Sequence, residues 1–428
     1  MSNFESVIAG KKVLIFGLGR QGGGSGDAEW LKQHGAIVKL SDKDLTLVPE
    51  GQNSSQIDWA DIIIKNPGVP DSHELINYAK SLNKPVLTSI AVFVKYAQVT
   101  TIGVTGTRGK STTVALITAL IEKAFPGQVI SGGNIAGTSC LSLFDKQSGK
   151  KYAVLELSSF QLHNFHELRV SPNIAVITNL YPDHLNRYTS MEEYQHDKEA
   201  ICLYQQRSDH CFFNEQNPGS VSISRVTKAQ RLAYRSSDCL TWQTSLPGLH
   251  NKENIAAMWA VGHELEMGES LARDVAASFS GVPYRQEVIA KIGEITYIND
   301  TTATTPTASI KALEAAVCPT IWITGGDTKN LPFAELLKTV KTCKSLKNII
   351  ILGSKNIPDY VNALKERVGD KIIGNAMSMK EALDMARSIA SPGDAILLSP
   401  GFASFDLFKN EFDRGNQFND LVKSYAQN

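Results

Sequence analysis

Short runs rich in Val and Ile recur along the chain, each closed by a Gly, Asn or Asp turn and followed by a helix-like stretch: "KVLIFG", "DIIIKNPG", "TIGVTG", "YAVLEL", "IAVITN", "TIWITGG", "NIIILGS" and "AILLSPG". A strand with one wet face alternates apolar and polar residues. A run that is apolar at nearly every position is covered on both faces, as a parallel strand between helix layers is. The expected fold class is therefore α/β, with ligands taken at the carboxyl ends of these strands.

At 428 residues the chain exceeds one domain of roughly 100 to 200 residues. Three blocks separate. Residues 1–97 open with a strand and a Gly-rich turn, a Rossmann-like start. Residues 98–281 contain "TGTRGKSTT" and run through "HNKENIAAMWAVGHEL" to "FSGVPYRQEV". Residues 282–428 restart with "ITYIND" and hold three further strand-plus-turn units, again Rossmann-like. No repeat of solenoid period and no low-complexity linker interrupts them.

Lys plus Arg and Asp plus Glu each number 43, so no global basic field is available to hold nucleic acid or an anionic membrane. Recognition of phosphate has to be local. The six cysteines show no CxxC or metal-finger spacing, which fits reduced thiols in a core rather than a disulfide framework. The start "MSNFESVIAGKKVLIFG" lacks the pattern of a secretory signal, and no run reaches the 18 or so apolar residues of a membrane span. A soluble, cytoplasmic protein without membrane insertion is expected.

The stretch "TGTRGKSTT" at 105–113 reads as a phosphate-binding loop feeding a helix. Gly106 and Gly109 free the backbone for close approach by phosphate oxygens, and Lys110 neutralises charge there. Ser111 or Thr112 offers a hydroxyl to Mg²⁺, and the helix "TTVALITALIEKA" directs its positive end at the anion. A strict Walker loop needs Gly five residues before Gly109, and residue 104 is Val. The stretch resembles instead the shorter GT-x-GK-[ST] loop of the Mur and folylpolyglutamate ligase superfamily, a resemblance that implies activation of a carboxylate with ATP. The competing reading is a glycine turn with a chance lysine.

In "YAVLELSSFQL" Glu156 ends an apolar strand, where an isolated acid is unfavourable unless a cation or hydrogen bonds meet it. In "IAVITNLYPDHLNRY" His184 follows a strand, with Asp183 placed to orient it. Each alone is equally well a satisfied structural residue; following Lys110 in strand-loop order, they suit a metal-nucleotide site. Lys198, in the helical "MEEYQHDKEAICLY", reads by itself as a solvated surface group.

"GLGRQG" at 17–22 fits GxGxxG after a strand, and Asp42 follows Gly22 by twenty residues. Alone, this is an NAD fingerprint. The same backbone geometry receives any pyrophosphate, however, and no site for a hydride acceptor is evident in the other two blocks.

In order along nearly the whole chain stand "GLGRQG", "NPGVP", "GVTGTRGKSTT", "GGNIAG", "VLELSSFQL", "TNLYPDHLNRY", "HNKENIAAMWA", "FSGVPYRQEV", "YINDTTAT", "GGDTKN" and "LLSPGFASFDLFKNEFDRGNQF". With these the chain resembles the Mur amide ligases, most closely the MurD branch, which adds D-glutamate to UDP-N-acetylmuramoyl-L-alanine. The resemblance implies a central P-loop-type ATPase domain, 98–281, between a UDP-substrate domain, 1–97, and an amino-acid and ATP-binding domain, 282–428. It implies ATP and Mg²⁺ as cofactors, the two substrates just named, and a monomer. Thr105, Gly106, Thr107, Arg108, Gly109, Lys110, Ser111 and Thr112 would hold the ATP phosphates, with Ser111 and Glu156 at one Mg²⁺ and His184 at a second. Lys198 falls where these ligases carry a carbamylated lysine that bridges the metals. Asn251 and Asn254 match positions at the adenine; Arg285 and Asp300 match ATP contacts from the third domain. Arg20 and Gln21 would lie by the diphosphate, Asp42 and Lys43 by the uridine, and Asn66, Pro67 and Gly68 along the same pocket. Asn134, Ser158 and Gln161 would follow the uridine nucleotide, and Lys329 and Ser404 would grip the incoming glutamate.

The chemistry so implied is coherent. A carboxylate is a poor acyl donor, so ATP converts it to an acyl phosphate that the glutamate amine attacks, with the third domain closing to exclude water. The chain departs from the family pattern at Arg108 (usually Asn), Thr302 (often Lys), Glu411 (usually aromatic) and Tyr284 (commonly His). Arg108 adds a cation near the phosphates and bears on nucleotide handling, and Thr302 removes a positive charge close to the substrate junction. Glu411, an acid near a glutamate pocket, bears on acceptor choice, leaving open another amino acid such as L-glutamate, or another UDP-muramoyl acceptor. From other classes, an NAD-dependent oxidoreductase would bind NADH at the first block, and a regulatory protein would bind ATP without making an amide.

Overall fold

The protein is described from a computed structural model, which covers residues 3–19, 23–134, 139–183, 188–244, 246, 249–327, 332–353, 355–404 and 407–426. Among these residues the strands form three sheets of four, six and six strands. The first joins β1 (Lys12–Phe16), β2 (Ile37–Ser41), β3 (Ile62–Lys65) and β4 (Val86–Leu87) in the order β2-β1-β3-β4, all parallel.

The second comprises β5 (Thr100–Thr105), β6 (Val129–Gly133), β7 (Tyr152–Glu156), β8 (Ile174–Ile177), β9 (His210–Asn214) and β10 (Gln230–Tyr234). Its order is β10-β9-β8-β5-β7-β6, again all parallel. The third contains β11 (Glu287–Ile292), β12 (Ile295–Asn299), β13 (Thr320–Gly325), β14 (Leu346–Leu352), β15 (Ile372–Ala376) and β16 (Ala395–Gly401). It runs β11-β12-β16-β13-β14-β15, parallel except for the β11–β12 hairpin.

Burial follows position in the sheet. β3, β8, β13 and β16 are buried at every residue, whereas the edge strands β2 and β15 are only partly covered. Chain order reverses beside β1 in the first sheet, beside β5 in the second and at the β13/β16 pair in the third. These are the switch points where an open parallel sheet leaves a crevice at its carboxyl edge.

The chain divides into two compact units, Met1–Phe279 and Ser280–Asn428. The first two sheets share a core within the first unit. Phe4, Ile15 and Trp30 belong to the same apolar cluster as Leu155 and Ile177, with Ile90 to Phe93 of the helix Ser89–Tyr96 included. The change of block near residue 97 therefore separates two sheets but not two cores. All six cysteines are free thiols, four of them buried. Among the described residues no helix is long and apolar enough to cross a membrane.

Candidate active site

The strand β5 delivers the backbone to a tight loop, 106–109, and the helix Lys110–Ala124 starts directly after it. That helix buries Thr113, Val114, Leu116, Ile117, Leu120 and Ile121, one stripe at helical spacing that anchors it while its first turn faces the loop. Gly109 caps it in the left-handed region at φ 82°, and a Cβ there would sit 2.5 Å from Asn254 Oδ1. A side chain is excluded both by conformation and by the helix Leu249–Glu264 behind the loop. Asn254 accepts from the Thr113 hydroxyl at 3.2 Å and donates to Asn251 at 3.0 Å. The two asparagines, three apart on one helical face, thus lie under the loop.

Two residues that sequence reasoning did not single out clamp this loop from the end of β8. Asn179 accepts from the Arg108 backbone N–H at 2.9 Å and donates to the Arg108 carbonyl at 3.1 Å, while the Thr178 hydroxyl donates to the same carbonyl at 2.7 Å. Their signal was the polar "TN" ending an otherwise apolar run. Arg108 itself is exposed, its guanidinium 5.8 Å from the Tyr181 ring centre.

Around the loop the expected charged groups converge. Glu156, at the carboxyl end of β7, accepts from the Ser111 hydroxyl at 2.5 Å and from the Asn134 amide at 3.1 Å. Thr112 follows Ser111, half-buried, in the same first turn. Lys110 donates to the carbonyls of Gly106 and Thr107 at 3.0 and 3.2 Å. Lys198 is not a surface group. It is 1% exposed, donates to the Gly106 carbonyl at 3.1 Å, and reaches Thr105 Oγ1 at 3.4 Å. Burial first, and then the Lys110 charge, push its ammonium well below the ordinary lysine range. A carboxylate paired with a hydroxyl at a helix start is a donor set for a hard divalent cation, and two lysines on one glycine carbonyl suit a polyanion. The residues present therefore fit a magnesium-nucleotide. His184 lies outside the described residues.

Ser158 and Gln161 form a reciprocal cap on the short helix Ser159–His163. Gln161 Oε1 accepts from the Ser158 backbone N–H at 3.0 Å, and Ser158 Oγ accepts from the Gln161 N–H at 3.3 Å.

At the first sheet's switch point, Gly17 adopts φ 84°, with a Cβ position only 2.8 Å from Val69. The buried Asp42 accepts from the backbone N–H groups of Gly19 and Asp44, each at 2.9 Å. It fastens the glycine turn. Asn66 Oδ1 accepts from the Gly68 N–H at 2.8 Å across Pro67, shaping the opposite wall, and Lys43 is exposed beside Asp42. Arg20 and Gln21 lie outside the described residues.

In the second unit, Asp300 follows β12 and is buried. It accepts from the Gln286 N–H at 3.1 Å and the Ser399 hydroxyl at 2.8 Å, and burial pushes its carboxyl up to about 7 despite those bonds and the Arg285 charge. Beyond β16, the Ser404 hydroxyl is buried with no hydrogen-bond partner among the described residues. Lys329 lies outside them. Arg414, which the sequence did not single out, is 0% exposed. It donates to the Thr301 carbonyl at 2.9 Å and to the Thr301 hydroxyl at 3.0 Å, and reaches the Phe402 carbonyl at 3.3 Å, tying the ends of β12 and β16 together. Burial lowers its guanidinium to about 9. Three of the departures from the family pattern gather here. Thr302 donates to the Tyr284 carbonyl at 2.9 Å, Tyr284 donates to Asn416 at 2.6 Å, and the Glu411 carbonyl accepts from the Thr301 hydroxyl at 2.9 Å.

Comparison with known proteins places the chain in a family. Residues 104–239 match the Mur ligase middle domain and residues 284–402 the Mur ligase glutamate ligase domain. The chain is 32% identical to the UDP-N-acetylmuramoylalanine--D-glutamate ligase of Roseiflexus sp. (strain RS-1), over 98% of this chain and 100% of that one. The enzyme of the same name from Christiangramia forsetii is 33% identical, over 97% and 100%.

Among solved structures it is similar to the UDP-N-acetylmuramate-alanine ligase MurC of Thermotoga maritima, with TM-score 0.57 at 17% identity over 97% of this chain and 99% of that one. The MurF ligase of Thermotoga maritima in complex with ADP gives TM-score 0.55, also at 17% identity, over 99% and 96%. At such identity the structures speak to the fold, while the sequence matches over nearly full length speak to descent: the chain belongs to the Mur ligase family.

Proposed function

We propose that this protein is an ATP-dependent amide ligase of peptidoglycan precursor synthesis that joins D-glutamate to UDP-N-acetylmuramoyl-L-alanine through an acyl phosphate. The observation that carries the reading is the convergence of Lys110, Lys198, Ser111 and Glu156 on one glycine loop, in a chain whose full-length relatives bear the D-glutamate ligase name.

In this reading block 1–97 takes the uridine nucleotide along Arg20, Gln21, Asp42, Lys43 and Asn66 to Gly68, with Asn134, Ser158 and Gln161 continuing its path. The loop 105–112 cradles the ATP phosphates, Asn251 and Asn254 lie toward the adenine, and Arg285 and Asp300 serve the nucleotide from block 282–428. Ser111, Glu156 and His184 would hold Mg²⁺. Bound there, the ion offsets repulsion between the substrate carboxylate and the phosphate it attacks. Lys110 stabilises negative charge spreading over the transferring phosphoryl group.

Lys198 acts as a carbamate. Its depressed basicity favours the neutral amine, whose nitrogen bonds to the carbon of CO₂ and releases one proton, turning a buried neutral amine into an anion beside the residues that would hold the metal. Lys329 and the Ser404 hydroxyl grip the incoming glutamate; a buried hydroxyl lacking a partner among the described residues is suited to a ligand carboxylate.

The test is a panel of amino acids, D-glutamate and L-glutamate first, incubated with ATP, Mg²⁺ and UDP-N-acetylmuramoyl-L-alanine, with products weighed by mass spectrometry. A product with D-glutamate alone supports the reading. Preference for another amino acid would move the chain elsewhere within the family. Absence of any amide, with ATP still bound, would favour a nucleotide-binding regulator.

A further inference from the structure

A line of charged groups runs from the wall of the first crevice to the phosphate loop. β3 ends in Lys65, whose side chain is 1% exposed; its ammonium donates to the Val69 carbonyl at 3.0 Å and pairs with Asp71. Asp71 stands just beyond the 66–68 loop. It also meets Lys80 at 2.8 Å and His163 Nε2 at 3.4 Å, and Lys80 continues to Glu167 at 2.7 Å. The other ring nitrogen, His163 Nδ1, lies 2.8 Å from Asp197 Oδ1. The second Asp197 oxygen accepts from the Tyr188 hydroxyl at 2.9 Å. Asp197 is buried on the helix Met191–Glu199 and directly precedes Lys198, whose ammonium rests on Gly106. His163 itself ends the short helix that the Ser158–Gln161 cap begins.

A neutral imidazole carries one N–H and can donate to one acceptor only. Here a carboxylate faces each ring nitrogen, so the geometry calls for an imidazolium, and hydrogen bonds to Asp197 first and Asp71 second raise its pKa to about 9. With 38% of the side chain exposed, the bridge contributes little stability. What it fixes is orientation: a planar ring held at both ends sets the distance between the loop after β3 and the helix of Lys198.

We propose that His163 is a positioning residue of the ligation reaction, bridging Asp71 and Asp197 so that the placement of the 66–68 substrate loop sets the placement of Lys198 against the phosphate loop. This rests on the amide-ligase reading. His163 touches neither the loop glycines nor Lys198 in the contacts described; it acts through Asp197. Loss of the bridge therefore impairs the chemical step more than nucleotide binding.

The experiment uses the full chain and begins with wild type, whose failure to form the amide would sink the ligase reading and leave the bridge unaddressed by kinetics. With an active wild type, His163→Ala, Asp71→Asn and the double variant are compared at saturating substrates, below their melting temperatures. The expected result is a kcat loss of about 10-fold or more in each single variant, with the ATP KM changed less than about 3-fold and the double variant no worse than the poorer single one, as for members of one network. His163→Arg, whose planar fork still donates to two carboxylates, is expected to restore kcat to within about 3-fold of wild type, and His163→Gln to restore much less. If His163→Ala fails to fold, the Arg, Gln and Asp71→Asn variants decide alone. A kcat kept within about 2-fold, losses that multiply in the double variant, or a rise confined to the KM of the UDP substrate would each overturn the proposal.

Discussion

Lys110 and Lys198 donate to the same acceptor, the carbonyl oxygen of Gly106, at 3.0 and 3.1 Å. Two ammonium groups meeting at one oxygen repel each other, and burial first, then that repulsion, pushes Lys198 toward its neutral form. This pairing gives the two lysines different expected behaviour.

Lys198→Ala removes a buried side chain and the carbamate proposed for it. Phosphate release is expected to fall by roughly 100-fold, with partial recovery when a short carboxylate such as acetate is added to occupy the vacated space. Activity close to wild type, or a loss that added carboxylate never touches, would argue against a bridging carbamate.

Lys110→Ala acts on a half-buried residue at the first position of the helix Lys110–Ala124, so the fold survives and the melting temperature stays nearly constant. Phosphate release is expected to drop by roughly 100- to 1,000-fold through loss of charge stabilisation alone. A phosphate-release assay beside a circular-dichroism melt separates the two effects; retained turnover would refute the role given to this lysine.

Gly109→Ala strains the loop in two ways, through φ 82° and through a Cβ only 2.5 Å from Asn254 Oδ1. A destabilisation of about 1–3 kcal/mol is expected in urea unfolding. Adding Asn254→Ala relieves the collision but not the backbone strain. The double variant should therefore be less destabilised than the sum of the single ones, and strict additivity would show that the contact is not the cause.

Asp300 supplies a pH dependence with a definite sign. Its carboxyl is pushed up to about 7 from the ordinary 3.8, so between these values the folded chain keeps a proton the unfolded chain has released. Stability from this group therefore falls as pH rises from about 4 to about 7 and is level above. Asp300→Asn, in which the Ser399 hydroxyl can turn to satisfy the new amide, should have little effect near pH 4. At pH 8 it should raise the melting temperature, by roughly 2–4 °C for each kcal/mol recovered. An unchanged difference between variant and wild type across that window would contradict the shift.

How much of this was legible depended on where a strand lies in its sheet. The quoted apolar runs became β1, β3, β5, β7, β8, β13, β14 and β16, every one an interior strand. Edges such as β10 and β15, with exposed positions along their length, blend with amphipathic helix in a linear reading. The phosphate loop and Glu156 were legible because their chemistry is local to one strand end. Lys198 was not legible from its own neighbours, since only the fold buries it. The Asp71–His163–Asp197 line was invisible because its members are separated by dozens of residues.

Gly415 lies wedged between two groups. A Cβ there would stand 2.5 Å from the Thr301 methyl and 2.6 Å from the Tyr284 ring. Even a single added carbon must push the tyrosine aside, and Tyr284 is bonded directly to Arg285 while Thr301 is bonded to Asp300. With Arg285 and Asp300 serving the nucleotide as proposed above, variation at 415 would retune affinity for it remotely, through displaced neighbours, and a screen for altered ATP response should recover this position although it offers no functional group of its own.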